Sequence, residues 1–289
     1  MCEFCTEHGE GKTWYLQMVN YSKELLHEEL TTSQKEHSGV ETRVDWINYF
    51  FKEFVIPATS AYQELEDEDE EEPQSPPEVQ EQPSIDEIVM QRKIVHFGQV
   101  LPIEDVEEVI SIADSITRIP CGCRYYTTGK ADQRYCFGLG IDMRGILGKY
   151  PDASSSLEVL DKEEATQIFR KYDEEGLIHT IWTAVTPYVI GLCNCDRDCT
   201  SYKSYIENSG SQSFFRAEYI CDIDWDLCNG CKVCMSQCQF GAQYYSSALG
   251  KVYISPERCF GCGVCRSVCP LDAINLIPRQ VSKEAANTW

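Results

Sequence analysis

The chain has 289 residues, 43% of them hydrophobic, with 25 basic against 47 acidic side chains and a formal net charge of −22. Its length allows two or three domains and its apolar share is enough for packed cores. The charge argues against nucleic acid as a partner, because phosphates draw the opposite sign. Seventeen cysteines, with no secretory-type start and no apolar run of membrane-spanning length, read as metal ligands in a reducing compartment, the cytoplasm, rather than as disulfides.

At the N-terminus Cys2, Cys5 and His8 have ligand-like spacing and form a candidate metal site that needs one more ligand; idle thiols at a chain end are the plainer account. The following Gly9-Glu10-Gly11-Lys12-Thr13 is not a phosphate loop, since Thr6 stands where a glycine is required. Over residues 14–30, Trp14, Met18, Leu25, Leu26 and Leu30 fall near helical spacing, as do Val44, Ile47, Phe50, Phe51, Phe54 and Val55 before Pro57. Two helices are expected, their apolar side taken as core rather than docking face, in a helical N-terminal arm over 1–62. Eight carboxylates between Glu64 and Glu72 run into Pro73, Pro76, Pro77 and Pro83. Such a stretch repels itself and buries little, so 63–85 reads as a linker. The arm either wraps a partner or folds back.

Residues 86–218 read as a cysteine-rich middle domain. A helix over Glu104 to Ile116 leads into Cys121-Gly122-Cys123-Arg124, and Cys136 follows. Asp161 with Glu164 announces a second helix that stops at Gly176. A β-rich run from Leu177 to Leu192 then delivers Cys193-Asn194-Cys195, with Cys199 beyond. These residues, with His179, resemble a domain of anaerobe iron–sulfur proteins over roughly 100–205, a far less specific likeness than the one that follows. Six cysteines at the ends of regular elements imply a metal site, because exposed idle thiols oxidise. A third iron–sulfur cluster is expected there, with zinc as the alternative. Spacing does not say which four of the six ligate. Arg124 is placed to offset thiolate charge, and His179 reads as a packed, hydrogen-bonded histidine. Cys221 is left over, either buried or a ligand of that site.

The last region, 219–289, holds Cys228, Cys231, Cys234 and Cys238, then Cys259, Cys262, Cys265 and Cys269 before Pro270. The pattern C-x2-C-x2-C-x3-C is written twice, 31 positions apart, and Gly230, Val233 and Ala242 recur as Gly261, Val264 and Ala273. Three cysteines three apart on a glycine-bearing loop suit three corners of a cubane. Residues 222–278 therefore resemble a bacterial-type ferredoxin domain with two [4Fe–4S] clusters. In that pattern the last cysteine of each run serves the other cluster. The resemblance implies one cluster on Cys228, Cys231, Cys234 and Cys269, and another on Cys259, Cys262, Cys265 and Cys238. Gln239 departs from it, standing where the second run has Pro270.

The fold class expected is α+β: a ferredoxin-like C-terminal domain, a mixed middle domain and a helical arm. The function expected is iron–sulfur electron transfer, as a relay subunit or dedicated donor of a larger anaerobic oxidoreductase rather than an enzyme by itself. The acidic surface suits a redox partner with a basic docking face. The alternative is a reductase with an open-iron or cofactor-binding catalytic site in the middle domain. No hydrolytic triad, dinucleotide fingerprint or haem-attachment motif is present.

Overall fold

A computed structural model describes residues 13–59, 98–140, 156–202 and 215–286, with Thr288. Cys2, Cys5, His8 and the acidic stretch read as a linker lie outside the described residues. The N-terminal segment is built of short pieces: 3-10 turns at Trp14–Leu16 and Met18–Tyr21, then α1 (Lys23–His27), α2 (Thr32–Ser38) and α3 (Arg43–Phe50). One helix over 14–30 does not form, because Gln17 and Ser22 are extended; Ser22 instead caps α1, its hydroxyl accepting from the Leu25 N–H. Met18, expected in the core, faces solvent. Helix α2, not among the expected helices, is set by a capping box of Thr31 and Gln34 and closed by Gly39 at φ 71°. Helix α3 runs on as a π-helical turn, Phe51–Val55, and a 3-10 turn, Ile56–Ala58.

These residues fold back onto the body. Trp14, Tyr15 and Tyr21 share a core with Val106, Val109 and Phe169, while Ile47, Phe51 and Val55 pack with Ile119, Tyr188 and Ile190. Burying side chains of this size contributes about 1.5–3 kcal/mol each. Polar contacts fix the register: the Trp14 indole donates to Gln99 Oε1 at 2.6 Å, and buried Arg43 donates to the Leu25 and Val185 carbonyls, each at 2.9 Å.

The middle region runs β1 (Gly98–Leu101), α4 (Ile103–Ile112), β2 (Ile116–Ile119), α5 (Gly122–Thr128), β3 (Cys136–Leu139), β4 (Glu158–Leu160), α6 (Lys162–Glu174), β5 (Ile178–Thr183) and β6 (Val189–Cys195). The strands form one antiparallel sheet in the order β1-β5-β6-β3-β2-β4. Helix α4 stops at Ile112, short of the expected Ile116, because Ala113 is extended and Ile116 is taken into β2. Helix α6 starts at the Asp161–Glu164 capping box as read. Helices α4 and α6 cover one sheet face, burying Val109 and Phe169 against Phe137 and Leu192. The arm's Ile47, Phe51 and Val55 cover the other, against Ile119 and Ile190.

The C-terminal region adds β7 (Tyr219–Ile223), α7 (Val233–Gln237), β8 (Gln243–Ser246), β9 (Lys251–Ile254) and β10 (Ile274–Pro278). The outer strands pair, β7 with β10, and the inner strands pair, β8 with β9. The region is fastened to the middle sheet by side chains. Arg266 makes a two-pronged pair with Glu104, both contacts at 2.7 Å, and the Ser267 hydroxyl donates to the Asp173 carbonyl at 3.2 Å. Gln239, the residue that departs from the ferredoxin pattern, donates its side-chain amide to the Gly176 carbonyl at 2.5 Å and accepts the Tyr202 hydroxyl at its own carbonyl.

Candidate metal centres

Cys228, Cys231, Cys234 and Cys269 line one apolar hollow, together with Ile223, Val252 and Ile274. Cys259, Cys262, Cys265 and Cys238 line a second, with Phe240, Phe260 and Cys221. The structure thus brings together each set of four named from the sequence, the last cysteine of each run crossing to the other hollow. The loops turn where they do because of their glycines. Gly230 and Gly261 share φ 72°, and a Cβ would stand 2.0 Å from the Gly250 carbonyl oxygen and 2.1 Å from that of Tyr219 respectively.

The sulfurs meet backbone donors. The Ala242 N–H points at Cys238 Sγ and the Ala273 N–H at Cys269 Sγ, both at 3.3 Å, so the duplicated alanines serve the duplicated cysteines. Cys259 Sγ receives the N–H groups of Gly261 at 3.4 Å and Cys221 at 3.3 Å. Such bonds favour the thiolate, whereas burial disfavours it and pushes the Cys234 thiol up to about 11 and the Cys238 thiol upward. Buried sulfurs with donors already aimed at them fit a metal–sulfur core, whose positive metal ions supply what burial removes. Cys221, left unplaced by the sequence, sits at this second hollow with its sulfur 3.7 Å from Cys265 Sγ. The signal was its strand register: on β7, opposite Leu276, two residues after Tyr219.

The two hollows differ in setting. Cys231 is exposed at the first, whereas Cys259 and Cys265 are buried at the second. Beside the second lies Arg279, which donates to the carbonyls of Ala217, Tyr219 and Cys259. Burial, and then the neighbouring Arg216, push the Arg279 guanidinium down to about 10. Arg216 in turn donates to the Cys259 carbonyl at 3.2 Å and lies 4.2 Å over the Phe260 ring.

All six middle-region cysteines line one much larger cavity of about 710 Å³. Strand geometry gathers them. Cys193 and Cys195 are two apart on β6 and so share a face; Cys136 on β3 lies directly across from Cys193. Cys121 caps α5, Cys123 is in its first turn, and Cys199 follows β6 in a turn whose N–H donates to the Asp196 carbonyl. The Cys136 and Cys193 sulfurs are 3.2 Å apart, those of Cys195 and Cys199 3.5 Å. The contacts extend to Cys121 beside Cys136 and Cys123 beside Cys199, giving two sets of three. Side-chain contacts with Cys123 and then Cys195 hold the Cys199 thiol well below its ordinary value despite burial. All described cysteines are free thiols, and among the described residues no group of three or more His, Cys, Asp or Glu side chains is placed to hold a single metal ion. Gly122 between the first two cysteines is compulsory, since a Cβ would meet the Phe54 carbonyl oxygen at 2.1 Å.

Arg124 does not point its charge at the sulfurs alone. Its guanidinium pairs with Asp196 at 2.9 Å, donates to the Asn194 carbonyl at 3.3 Å and lies 3.8 Å over the Tyr135 ring. Burial would lower its pKa, but Asp196 overrides this and raises it, with a further contribution from Cys121. It therefore ties the Cys121 turn to the end of β6. His179 is fully buried, its Nδ1 donating to Asn194 Oδ1 at 2.7 Å, which makes it a brace behind the Cys193-Asn194-Cys195 strand.

A family model described as a 4Fe-4S dicluster domain matches residues 227–273. Comparison of the chain with curated proteins and with solved structures found no match. Among the described residues, no helix is long and apolar enough to cross a membrane. Together with the two cysteine-lined hollows, the family match makes residues 227–273 a ferredoxin-type, iron–sulfur segment joined to an α+β body.

Proposed function

We propose that the protein is an electron carrier with two [4Fe–4S] clusters, one on Cys228, Cys231, Cys234 and Cys269, the other on Cys259, Cys262, Cys265 and Cys238, and a third iron–sulfur centre among the six middle cysteines. It acts as the relay subunit or dedicated donor of a larger oxidoreductase working at low oxygen, meeting a partner whose basic face complements its charge. When bound, the clusters supply one-electron oxidation and reduction.

One observation carries this reading. A single apolar core joins the second hollow to the middle cavity: Phe240 and Phe260 stack at 3.9 Å with an interplanar angle of 7°, Tyr202 packs edge-on to Phe240, and the same cluster includes Cys262 on one side and Cys123, Cys193, Cys195 and Cys199 on the other. These rings exclude water between the two sets of thiols. The chain's residues also set a direction. The first hollow is more open, with exposed Cys231, and the second is buried beside Arg216 and Arg279, whose positive charge favours an added electron there.

Iron, zinc and acid-labile sulfide per chain on anaerobically purified protein, with paramagnetic resonance during stepwise reduction, test the proposal. About twelve irons and three reducible centres are expected from three cubanes. About eight irons with two centres would remove the middle step, and zinc in place of the last four would assign the middle cysteines a structural role.

A further inference from the structure

The middle cavity is larger than six thiols need and has two unlike ends. One end is sulfur. The other is a wall of aromatic rings: Trp46 stacks on Phe50 at 5.5 Å and 7°, Phe50 on Phe54 at 5.6 Å and 20°, and Tyr126 meets Phe54 edge-on at 5.9 Å. Trp46, Phe50 and Phe54 are four residues apart. In an α-helix each such step rotates a ladder by about 40°, so three rings would drift off one line. The change to a π-helical turn at Phe51–Val55 winds the backbone more slowly and keeps Phe54 beneath Phe50. Phe54 is in turn fixed to the sulfur end, its carbonyl lying against Gly122. The mouth is open at described side chains, with Tyr49 and Tyr126 each 57% exposed.

We infer that the ring-lined end is a binding site for a small, flat, uncharged aromatic molecule, which stacks along Trp46, Phe50 and Phe54 and reaches the sulfur-lined end with one edge. Three features select that class. The volume, about 710 Å³, lies within the roughly 300–1,000 Å³ of small-molecule sites. The rings offer π surface rather than hydrogen-bonding groups, and π surface prefers another aromatic ring, offset-stacked or edge-on. Among the described lining residues there is no lysine or arginine and Glu53 is the one carboxylate, so these residues offer an anion no counter-charge. The inference deepens the reading of the middle cysteines as a metal centre and rests on it for what the ligand's edge touches, whereas the stacking wall itself does not depend on the metal.

The test uses prodan, a neutral naphthalene whose emission shifts to the blue in apolar surroundings, titrated into the anaerobic holoprotein, with the anionic anilinonaphthalene sulfonate as its charged counterpart. Saturable binding of one prodan per chain is expected, at least tenfold tighter than the anionic dye, and weakened at least tenfold by Phe54→Ala and by Tyr126→Ala. Tyr49→Ala, at an exposed ring, is the second variant should Phe54→Ala unfold. Iron and sulfide assayed on each sample report the metal reading separately: prodan bound at eight irons would overturn the third cluster and leave this site standing. No saturable binding, equal binding of both dyes, or binding that survives Phe54→Ala and Tyr126→Ala in folded protein overturns the inference, the first being the mark of a mouth already covered by protein.

Discussion

The two cysteine-rich regions assemble their sulfurs by different means. In the ferredoxin-type segment three thiols of each hollow come from one short loop, and only the fourth is borrowed across the duplication. In the middle region the thiols come from the cap of α5, from β3, from β6 and from the turn beyond it, so their arrangement is a property of the sheet. The first design makes tight apolar hollows in which backbone N–H groups are aimed at some of the sulfurs. The second leaves a roomy cavity whose walls the rest of the fold can furnish, here with aromatic rings. A local loop fixes a cofactor and leaves space for little else, whereas a site spread over a sheet can hold something and admit something.

That contrast can be broken most severely at the glycines. Gly261→Ala forces a Cβ into the Tyr219 carbonyl and strains a left-handed position; the variant is expected to lose about four irons per chain, read by iron and sulfide assay, with the middle centre's resonance retained. Cys195→Ala makes the reciprocal cut. If the middle cysteines hold the proposed third centre, the variant is expected to lower iron by about four per chain while the two signals of the ferredoxin-type segment persist in paramagnetic resonance.

Smaller changes sharpen it. Gln239→Pro restores the ferredoxin pattern but deletes the amide bond to Gly176. A net loss of about 1–1.5 kcal/mol is expected, seen as faster hydrogen exchange in the 176–180 stretch with both clusters intact. Cys221→Ala removes a thiol beside Cys265 but keeps the backbone donor to Cys259. Losing one hydrogen bond of about 1 kcal/mol to a cluster sulfur lowers a one-electron potential by on the order of 40 mV, and only the second cluster should shift in a redox titration. Glu104→Gln is expected to have the least effect, about 0.5 kcal/mol or less in chemical denaturation, because the pair with Arg266 is half exposed. Burial alone would raise the Glu104 carboxyl, but Arg266 holds it below its ordinary value. Its contribution is therefore complete above that ordinary value and fades as pH falls through the lower folded one.

How much was legible in the sequence follows the same division. The duplicated run from Cys228 to Pro270 was plain because a cubane loop is local; the crossing of Cys238 and Cys269 came from the ferredoxin resemblance, and the two cysteines do line the opposite hollows. The capping box at Asp161 was equally plain. The six middle cysteines were visible as a group, but their cavity was not, since Cys136 meets Cys193 only through strand register. Nor could spacing show that Phe50 and Phe54 line the same cavity, because that depends on a π-helical turn and on an arm folding back. Cys221 is buried, one of the two places expected for it, but it lies at the second hollow and not at the middle site, because β7 pairs with β10. Met18 and Ile116 failed where helical spacing continued past the point at which the backbone turned extended.

The exchange of Cys238 and Cys269 between the two halves bears on how the protein is made. The second hollow has its four thiols only once Cys265 has followed Cys238, the first only once Cys269 has been made, and the strand partner of β7, β10, comes later still. A chain that stops before Cys259 therefore offers three thiols of one hollow and one of the other, so the first half of the duplication cannot complete either set of four by itself.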